Sequence, residues 1–213
     1  MITISWKYSL PLFLAAAVSV AFAQSTPATA PAAPTQTAPA PAASVPASPA
    51  TTTAAAPTVE EQASFTVVGV TVRTSRNAEA GDQAQIPGLW QSAMMSGQLQ
   101  QVPNRQGDDM YVVYSDYSPE NGGSYNYTLG VRVTSVDKAP DGMVVRVIPA
   151  GRYAVIKSEQ GPPQEVIPAM WQRIDAMTPQ QLGGERAYQT DFEDYAPITD
   201  FSSMQSVAHI GLK

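Results

Sequence analysis

The sequence predicts an α+β domain in which one strand-helix-strand-strand unit occurs twice. The hexapeptide IPGLWQ at residues 86–91 returns as IPAMWQ at residues 167–172, an offset of 81 residues. A match at a fixed period is the usual sign of an internal repeat. Further pairs align at the same offset without a gap: Arg105 with Arg186, Tyr114 with Tyr195, and Gly130 with Gly211.

The first copy is predicted at residues 65–134. Pro87 stands where a helix begins and Gly97 where one ends. Two alternating stretches flank the turn residues 119–123, which predicts a β-hairpin. The predicted elements are a strand at Phe65–Thr74, a helix at Ile86–Gly97, and strands at Met110–Tyr117 and Tyr125–Val133.

The second copy is predicted at residues 142–213 in the same order. A small sheet with one helix cannot bury both of its faces, so two units are expected to associate about a pseudo-two-fold axis, leaving a central ligand cleft. Its predicted elements are a strand at Met143–Lys157, a helix at Pro162–Met177, and strands at Ala187–Tyr195 and Val207–Leu212, which brings the total to six strands and two helices.

The segment before this domain has the features of an export signal. Lys7 precedes an apolar run that ends at Ala21-Phe22-Ala23, so residues 1–23 are predicted to be a cleaved signal peptide. The alternative, a retained membrane anchor, needs a longer apolar run, of roughly 20 residues. Residues 24–59 are rich in Ala, Pro and Thr and predict a disordered linker before a domain at 60–213. The mature chain is therefore expected in the periplasm or outside the cell.

Composition disfavours several function classes. The chain has 0 Cys and 1 His, so neither disulfides, nor a Cys nucleophile, nor a common metal-ligand set is expected. A formal net charge of −6 disfavours a nucleic-acid partner. No phosphate-binding glycine loop opens a predicted helix, and no cofactor is expected. A catalytic Ser-His-Asp triad would depend on His209, which is interpreted as a half-exposed strand residue.

Aromatic residues are the first candidates for ligand contacts. Trp90 and Trp171 occupy equivalent positions in the first turns of the two helices. Core packing is the simpler interpretation of each, and cleft lining is the alternative. Tyrosines offer a ligand both an apolar ring and a hydroxyl. They form the group Tyr111, Tyr114, Tyr127, Tyr153, Tyr188 and Tyr195.

Glu193 is the candidate acidic residue. Strand alternation places it on one face with Asp191 and Tyr195, and its counterpart in the first copy is Val112. A carboxylate that replaces an apolar residue at a buried position would have a raised pKa. The alternative is a solvated acidic strand end, and the pattern by itself leaves both open.

Five segments resemble the GyrI-like small-molecule-binding domain, also described as the effector-binding domain of bacterial transcription activators. They are FTVVG at 65–69, IPGLW at 86–90, PAGRYAV at 149–155, IPAMW at 167–171 and DFEDY at 191–195. The resemblance implies two strand-helix-strand-strand units around a cleft that binds hydrophobic, aromatic or cationic molecules, with Glu193 as its glutamate. The export signal and the missing DNA-binding domain depart from the regulators of this family.

Three functions follow from these observations. The first is an exported, non-catalytic protein that captures an apolar, aromatic or cationic ligand, with contacts from Glu193, Tyr195, Tyr114, Tyr153, Trp90 and Trp171. The second is a hydrolase of electrophilic small molecules, which the resemblance implies for some members, with Glu193 and a Tyr as its reactive groups. The third is a protein-interaction module of the envelope, which would expose an apolar patch.

Overall fold

Within the described residues, eight antiparallel strands form a single sheet that carries four α-helices and one short 3₁₀ helix, Gln98–Gln101. The computed structural model describes residues 56–119 and 123–213. The predicted signal peptide, residues 24–55 of the predicted linker and part of the predicted hairpin turn lie outside them. The strands are β1 Thr58–Gln62, β2 Phe65–Thr74, β3 Arg105–Ser115, β4 Tyr125–Val133, β5 Val144–Ile148, β6 Gly151–Lys157, β7 Thr190–Tyr195 and β8 Val207–Gly211. The helices are α1 Arg76–Glu79, α2 Ile86–Ser96, α3 Pro163–Ala176 and α4 Pro179–Leu182.

The strand order in the sheet is β1-β6-β8-β7-β3-β4-β2-β5, and the sheet curls into a half-barrel. Strands β2, β4 and β3 on one side of the middle are mirrored by β6, β8 and β7 on the other. Helix α2 lies between β2 and β3 in the chain, and α3 lies between β6 and β7. The α+β class is confirmed, whereas the tandem duplication stays a prediction.

The strand predicted at Met143–Lys157 is wrong, because the chain forms two strands there. Strand β5 pairs with β2, and β6 pairs with β1 and β8, so the two belong to opposite ends of the sheet. The break falls at Pro149, which has no N–H with which to continue a ladder. The stretches 144–148 and 153–156 are mostly apolar, which favours one continuous strand, although Pro149 and Gly151 between them are residues typical of a turn.

The first strand was not predicted. Strand β1 begins at Thr58, two residues inside the stretch assigned to the linker, and its residues are mostly exposed. Such a strand has few apolar side chains, so no apolar pattern in the sequence predicts it. The backbone hydrogen bonds of its ladder to β6 hold it in the sheet. Two short helices, α1 and α4, were also not predicted.

The predicted helices are longer than the observed ones by one residue at the carboxyl end of α2 and by one residue at each end of α3. Gly97 follows α2 with φ of 64°, the left-handed conformation in which glycine commonly ends a helix. Helix α2 buries only Ala93, whereas α3 buries four side chains. The four are Val166, Met170, Trp171 and Ile174. Helix α2 therefore has fewer fully buried side chains than α3, although Ile86, Leu89 and Trp90 of α2 are partly buried against the larger cluster.

The two faces of the sheet carry separate apolar clusters. The larger cluster includes Ala93 of α2, Met170, Trp171 and Ile174 of α3, and one face of the central strands. The smaller cluster lies on the opposite face and includes Phe65, Tyr153 and Phe192. Within the described residues, no helix combines the length and apolar character that a bilayer crossing requires.

Candidate functional site

Glu193 lies in the middle of the sheet, on the face that α2 and α3 cover. It stands on β7, opposite Val112 of β3 and Ala208 of β8. Both neighbours are completely buried and belong to the larger apolar cluster. Its side chain is 0% exposed. The interpretation of Glu193 as a solvated acid at a strand end is therefore wrong.

Four hydrogen-bond donors surround the Glu193 carboxylate. Oε1 accepts from the Tyr114 hydroxyl at 2.7 Å and from Trp171 Nε1 at 2.5 Å. Oε2 accepts from the Tyr195 hydroxyl and from Ser206 Oγ at 3.2 Å. A carboxylate offers about four lone-pair sites, so these donors occupy its accepting capacity.

Burial raises the pKa of Glu193, and the hydrogen bonds from Tyr195, Tyr114, Trp171 and Ser206 oppose that rise. Desolvation penalises the charged form, while the donors stabilise it. Burial and the nearby Glu193 carboxylate also raise the pKa of Tyr114 and Tyr195 well above the ordinary tyrosine value. The tyrosine hydroxyls therefore stay protonated and act as donors to the carboxylate.

A layer of aromatic rings encloses this polar centre. The Tyr114 ring lies 4.7 Å from the Trp171 ring and 5.3 Å from that of Tyr127, between centroids. Trp90 of α2 packs edge-on to Tyr195 at 5.4 Å and donates its indole N–H to the Tyr127 hydroxyl at 2.7 Å. The rings fill the space where an open cleft was expected, so Glu193 is closed off from solvent.

The structure brings together five of the six residues predicted as ligand contacts. They are Glu193, Tyr195, Tyr114, Trp90 and Trp171.

Tyr153 is not part of this group. It packs 5.4 Å from Phe192 on the opposite face of the sheet and donates its hydroxyl to the carbonyl oxygen of Pro149. Because Glu193 and Phe192 are adjacent on β7, their side chains point to opposite faces. A contact with Phe192 therefore places Tyr153 away from the carboxylate.

Two residues of the site were missed. Tyr127 was grouped with the other tyrosines but not chosen, although its counterpart in the second copy is Ala208, the same kind of mismatch as Val112 and Glu193. Ser206 precedes β8 and reaches Glu193 through the pairing of β7 with β8. No sequence pattern distinguishes Ser206 from the other serines of the chain.

Asp191, the second buried carboxylate, has a separate environment. Its Oδ2 accepts from the Tyr117 hydroxyl and from Arg186 Nη2, each at 2.6 Å, and its Oδ1 accepts from the backbone N–H of Gly211 at 2.8 Å. The ion pair joins an aspartate that is 0% exposed to an arginine side chain that is 8% exposed. Asp191 is therefore neutralised within the protein, in contrast to Glu193, which has only uncharged donors.

Two arginines lie over the ring of Trp171. The Arg76 guanidinium carbon is 4.9 Å and that of Arg186 is 5.5 Å from the ring centroid. Both guanidinium groups pair with Asp175 of α3. Trp171 is thus held between these cations and Glu193, whereas Trp90 has no such support among the described contacts.

His209 was interpreted as half-exposed, but it is 9% exposed. Its ring stacks on Phe192 with centroids 4.2 Å apart, and Nε2 lies 3.2 Å from Asp194 Oδ2. These contacts are on the face opposite to Glu193, since Phe192 belongs to the smaller cluster. His209 is therefore not positioned to act on a group bound at Glu193.

A cavity of about 430 Å³ lies apart from Glu193, between α3, α4 and the residues just before β7. Arg186, a residue of its wall, also lies over the ring of Trp171. Within residues 56–119 and 123–213, no group of three or more His, Cys, Asp or Glu side chains is arranged to hold a metal ion.

Comparison with known proteins identifies similar sequences. The family model Cass2, described as integron-associated effector binding protein, matches residues 58–208. YobU of Bacillus subtilis (strain 168), named as a candidate transcriptional regulator, is 30% identical over 130 residues, which cover 60% of this chain and 78% of YobU.

Solved structures show the same fold. The integron cassette protein VCH_CASS2, from the mobile metagenome of Vibrio cholerae, has a TM-score of 0.59 at 20% identity, over 74% of this chain and 96% of its own. SAV2435, solved bound to tetraphenylphosphonium, has a TM-score of 0.58 at 19% identity, over 74% of this chain and 93% of its own. A protein of Staphylococcus aureus MU50, named as a candidate bacterial transcription regulation protein, has a TM-score of 0.54 at 20% identity, over 74% of this chain and 98% of its own.

Proposed function

Because the chain belongs to the Cass2 family of integron-associated effector binding proteins, we propose that it captures a small lipophilic cation at Glu193. One observation carries this proposal. Glu193 is a completely buried carboxylate that has uncharged hydrogen-bond donors and no cationic side chain among its described partners. A buried carboxylate without a counter-ion is costly for a fold. A bound cation would supply that counter-ion.

The surroundings of the carboxylate favour a particular kind of cation. Its four donors already occupy both oxygens, so a ligand N–H would have to displace one of them. A cation without hydrogen-bond donors, such as a quaternary ammonium or a phosphonium, needs only charge and contact with aromatic rings. Aromatic faces attract such cations by the cation–π interaction. The structural relative SAV2435 was solved with tetraphenylphosphonium, a cation of this kind.

A ligand can reach Glu193 only if one of the covering elements moves. Helix α2 is the element best suited to move, because it fully buries a single side chain, whereas α3 buries four. Helix α3 is also tied by Asp175 to Arg76 and Arg186, the two arginines that lie over Trp171. Displacement of α2 would withdraw Trp90 from Tyr195 and Tyr127. We therefore place ligand entry on the side of α2.

Titration calorimetry with tetraphenylphosphonium tests the proposal. Saturable binding by the native chain is expected, and Glu193→Gln is expected to weaken it by about tenfold or more, equivalent to about 1.4 kcal/mol. Asp194→Asn is the matched control, since it removes an adjacent carboxylate that faces away from the site, and it should bind like the native chain. Neutral triphenylphosphine oxide should bind much more weakly. Equal binding of tetraphenylphosphonium by native and Glu193→Gln protein would contradict the proposal.

A hydrolase is the second candidate, and the raised pKa of Glu193 beside the Tyr195 and Tyr114 hydroxyls favours it. A carboxylate with a raised pKa accepts a proton more readily than an ordinary glutamate does, and a tyrosine hydroxyl can donate a hydrogen bond to developing charge. Turnover of an electrophilic small molecule would have to be lost in Glu193→Gln. Turnover that survives this substitution would exclude the role. The enclosed position of Glu193 counts against the third candidate, a protein-interaction module.

We also propose that the two halves of the sheet arose by duplication and that the mature chain acts outside the cytoplasm. The mirrored strand order and the equivalent positions of α2 and α3 support duplication. The basic start, apolar run and small residues of segment 1–23 support export.

A further inference from the structure

Glu79, a residue of α1 outside the site, holds the amino-terminal end of α2. The Gln85 backbone N–H donates to Glu79 Oε1 and that of Ile86 donates to Glu79 Oε2, each at 3.1 Å. The Thr74 hydroxyl at the end of β2 donates to the same Oε1 at 2.5 Å. The carboxylate thus bridges the sheet and the first turn of α2.

The start of α2 has one other tie to the sheet, since Gln85 Nε2 donates to the Arg73 carbonyl oxygen of β2 at 3.3 Å, but the helix supplies no acceptor of its own for its first N–H groups. Gln85, the residue that caps the helix, makes no side-chain capping bond, and the first turn contains no acidic residue. The first N–H groups of a helix have no partner inside the helix and carry partial positive charge, so an acceptor with negative charge stabilises that end. Glu79 supplies both the acceptor and the charge from another element.

This contact bears on the site because α2 carries Trp90. The indole of Trp90 reaches the Tyr127 hydroxyl and packs on Tyr195, which donates to Glu193. Ala93 is the one fully buried side chain of α2, and Ile86, Leu89 and Trp90 are only partly buried against the core. A single bidentate contact at one end is therefore a substantial part of what keeps α2 in place.

We propose that Glu79 is a positioning residue that controls ligand access: its carboxylate holds α2, and with it Trp90, in the closed position over Glu193. The inference rests on the proposed function of the Glu193 site. If the closed state predominates, the apparent affinity for a ligand is reduced by the small fraction of molecules that are open. Weakening the Glu79 contact enlarges that fraction, so a variant that loosens α2 binds the cation more tightly.

Glu79→Gln is the direct test in the full chain. The amide keeps one accepting oxygen but places a donor against the second N–H and removes the charge. Tetraphenylphosphonium is expected to bind about three- to tenfold more tightly than to the native chain. Amide hydrogen exchange over residues 85–97, measured without ligand, should be faster by a similar factor. A merely structural role for Glu79 would lower stability without tightening binding.

Two further variants keep the test decisive. Thr74→Val removes the hydroxyl that orients Glu79 and should shift both measurements in the same direction by a smaller factor, which covers the case in which Glu79→Gln does not fold. Glu165→Gln is the matched control, because Glu165 lies in the first turn of α3, and it should leave both measurements unchanged.

Unchanged exchange in residues 85–97 of both Glu79→Gln and Thr74→Val would overturn the inference. So would faster exchange accompanied by unchanged or weaker binding. If the native chain does not bind tetraphenylphosphonium, the proposed function and the control of access fail together. The exchange measurement then still shows whether Glu79 anchors α2.

Discussion

At the scale of single residues, the two buried carboxylates of β7 have opposite surroundings. Asp191 has a cationic partner in Arg186, and it contributes to the fold through that ion pair and a backbone contact. Glu193 has only neutral donors. Both acids lie on the same face of the strand, so alternation alone did not separate them. Their partners, which come from other elements, decide that Glu193 is the candidate for binding a cation.

The raised pKa of Glu193 predicts a pH dependence of stability. Below the ordinary glutamate pKa of about 4.3, the carboxyl is protonated in both the folded and the unfolded chain. Between that value and the raised pKa of the folded state, the folded chain retains the proton that the unfolded chain releases. The free energy of unfolding should therefore fall as pH rises through this window, and the loss is complete above the raised pKa.

Urea unfolding of the native chain and of Glu193→Gln, at intervals from acidic to neutral pH, measures this effect. The difference in unfolding free energy between the two proteins isolates Glu193, because the other titrating groups are shared. A difference that is constant with pH, or that favours the native chain as pH rises, would contradict the expected direction.

At the scale of elements, the two helices occupy equivalent places in the sequence but contribute unequally. Trp171 is 7% exposed and contacts Glu193, Tyr114 and two arginines. Trp90 is only partly buried and lies on a helix with one buried residue. The repeat made these residues look alike, but their packing makes Trp171 part of the core and Trp90 part of the cover that we propose moves on ligand entry.

The stability cost of removing each tryptophan should reflect this difference. Trp171→Ala is expected to lower the free energy of unfolding by about 3 to 5 kcal/mol, as for a large buried side chain. Trp90→Ala should cost about 1 to 2 kcal/mol, in the usual range for single substitutions. Chemical unfolding followed by circular dichroism measures both. Equal costs would mean that α2 is held as firmly as α3.

The pairing of β2 with β4 depends on two glycines that face each other. Gly69 lies opposite Gly130, and a Cβ added to Gly69 would be 2.1 Å from the backbone oxygen of Leu129. Backbone atoms of a central strand cannot move aside cheaply. Gly69→Ala should therefore cost more than about 4 kcal/mol, which is exceptional for a single substitution, and the soluble yield should fall with the melting temperature.

Gly151→Ala is the control for this substitution. A Cβ at Gly151, at the start of β6, would meet no atom within 4 Å. The control should keep the native melting temperature. A Gly69→Ala protein as stable as the native chain would show that the close approach of β2 and β4 can relax.

At the scale of the whole molecule, one continuous sheet places the site at the junction of two halves. Strands β3 and β7 pair in the middle, and they supply Tyr114, Glu193 and Tyr195. Helices α2 and α3 contribute one tryptophan each from the two sides. Neither half contains the complete set of contacts, so the site depends on the pairing of β3 with β7.

Export is expected to remove residues 1–23. Chain produced in a bacterium with its own amino terminus should be recovered from the periplasm or medium with a mass that corresponds to a start at Gln24. Substituting Ala23 with Lys should block cleavage, because the processing site requires a small residue. Native chain recovered only from the cytoplasm and with its first residues intact would contradict export.

The sequence by itself determined the local features of this protein. Alternation and turn residues identified β2 and β4 with their observed bounds, and proline and glycine identified the ends of α2. The mismatches between the two copies indicated the acidic strand, and the resemblance of the DFEDY segment singled out Glu193 within it. Each of these signals lies within one strand, one helix or one aligned pair, where side-chain periodicity reports directly on the local backbone.

Tertiary structure decided which of these residues meet. It divided the predicted strand at Pro149, placed Tyr153 on the far face of the sheet and brought Ser206 to the carboxylate. These results depend on strand order and register between segments that are far apart in the chain. Periodicity along one segment carries no information about its partner, because a shift of one residue in register exchanges the two faces of a strand. The closed cover of aromatic rings over Glu193 follows from that pairing.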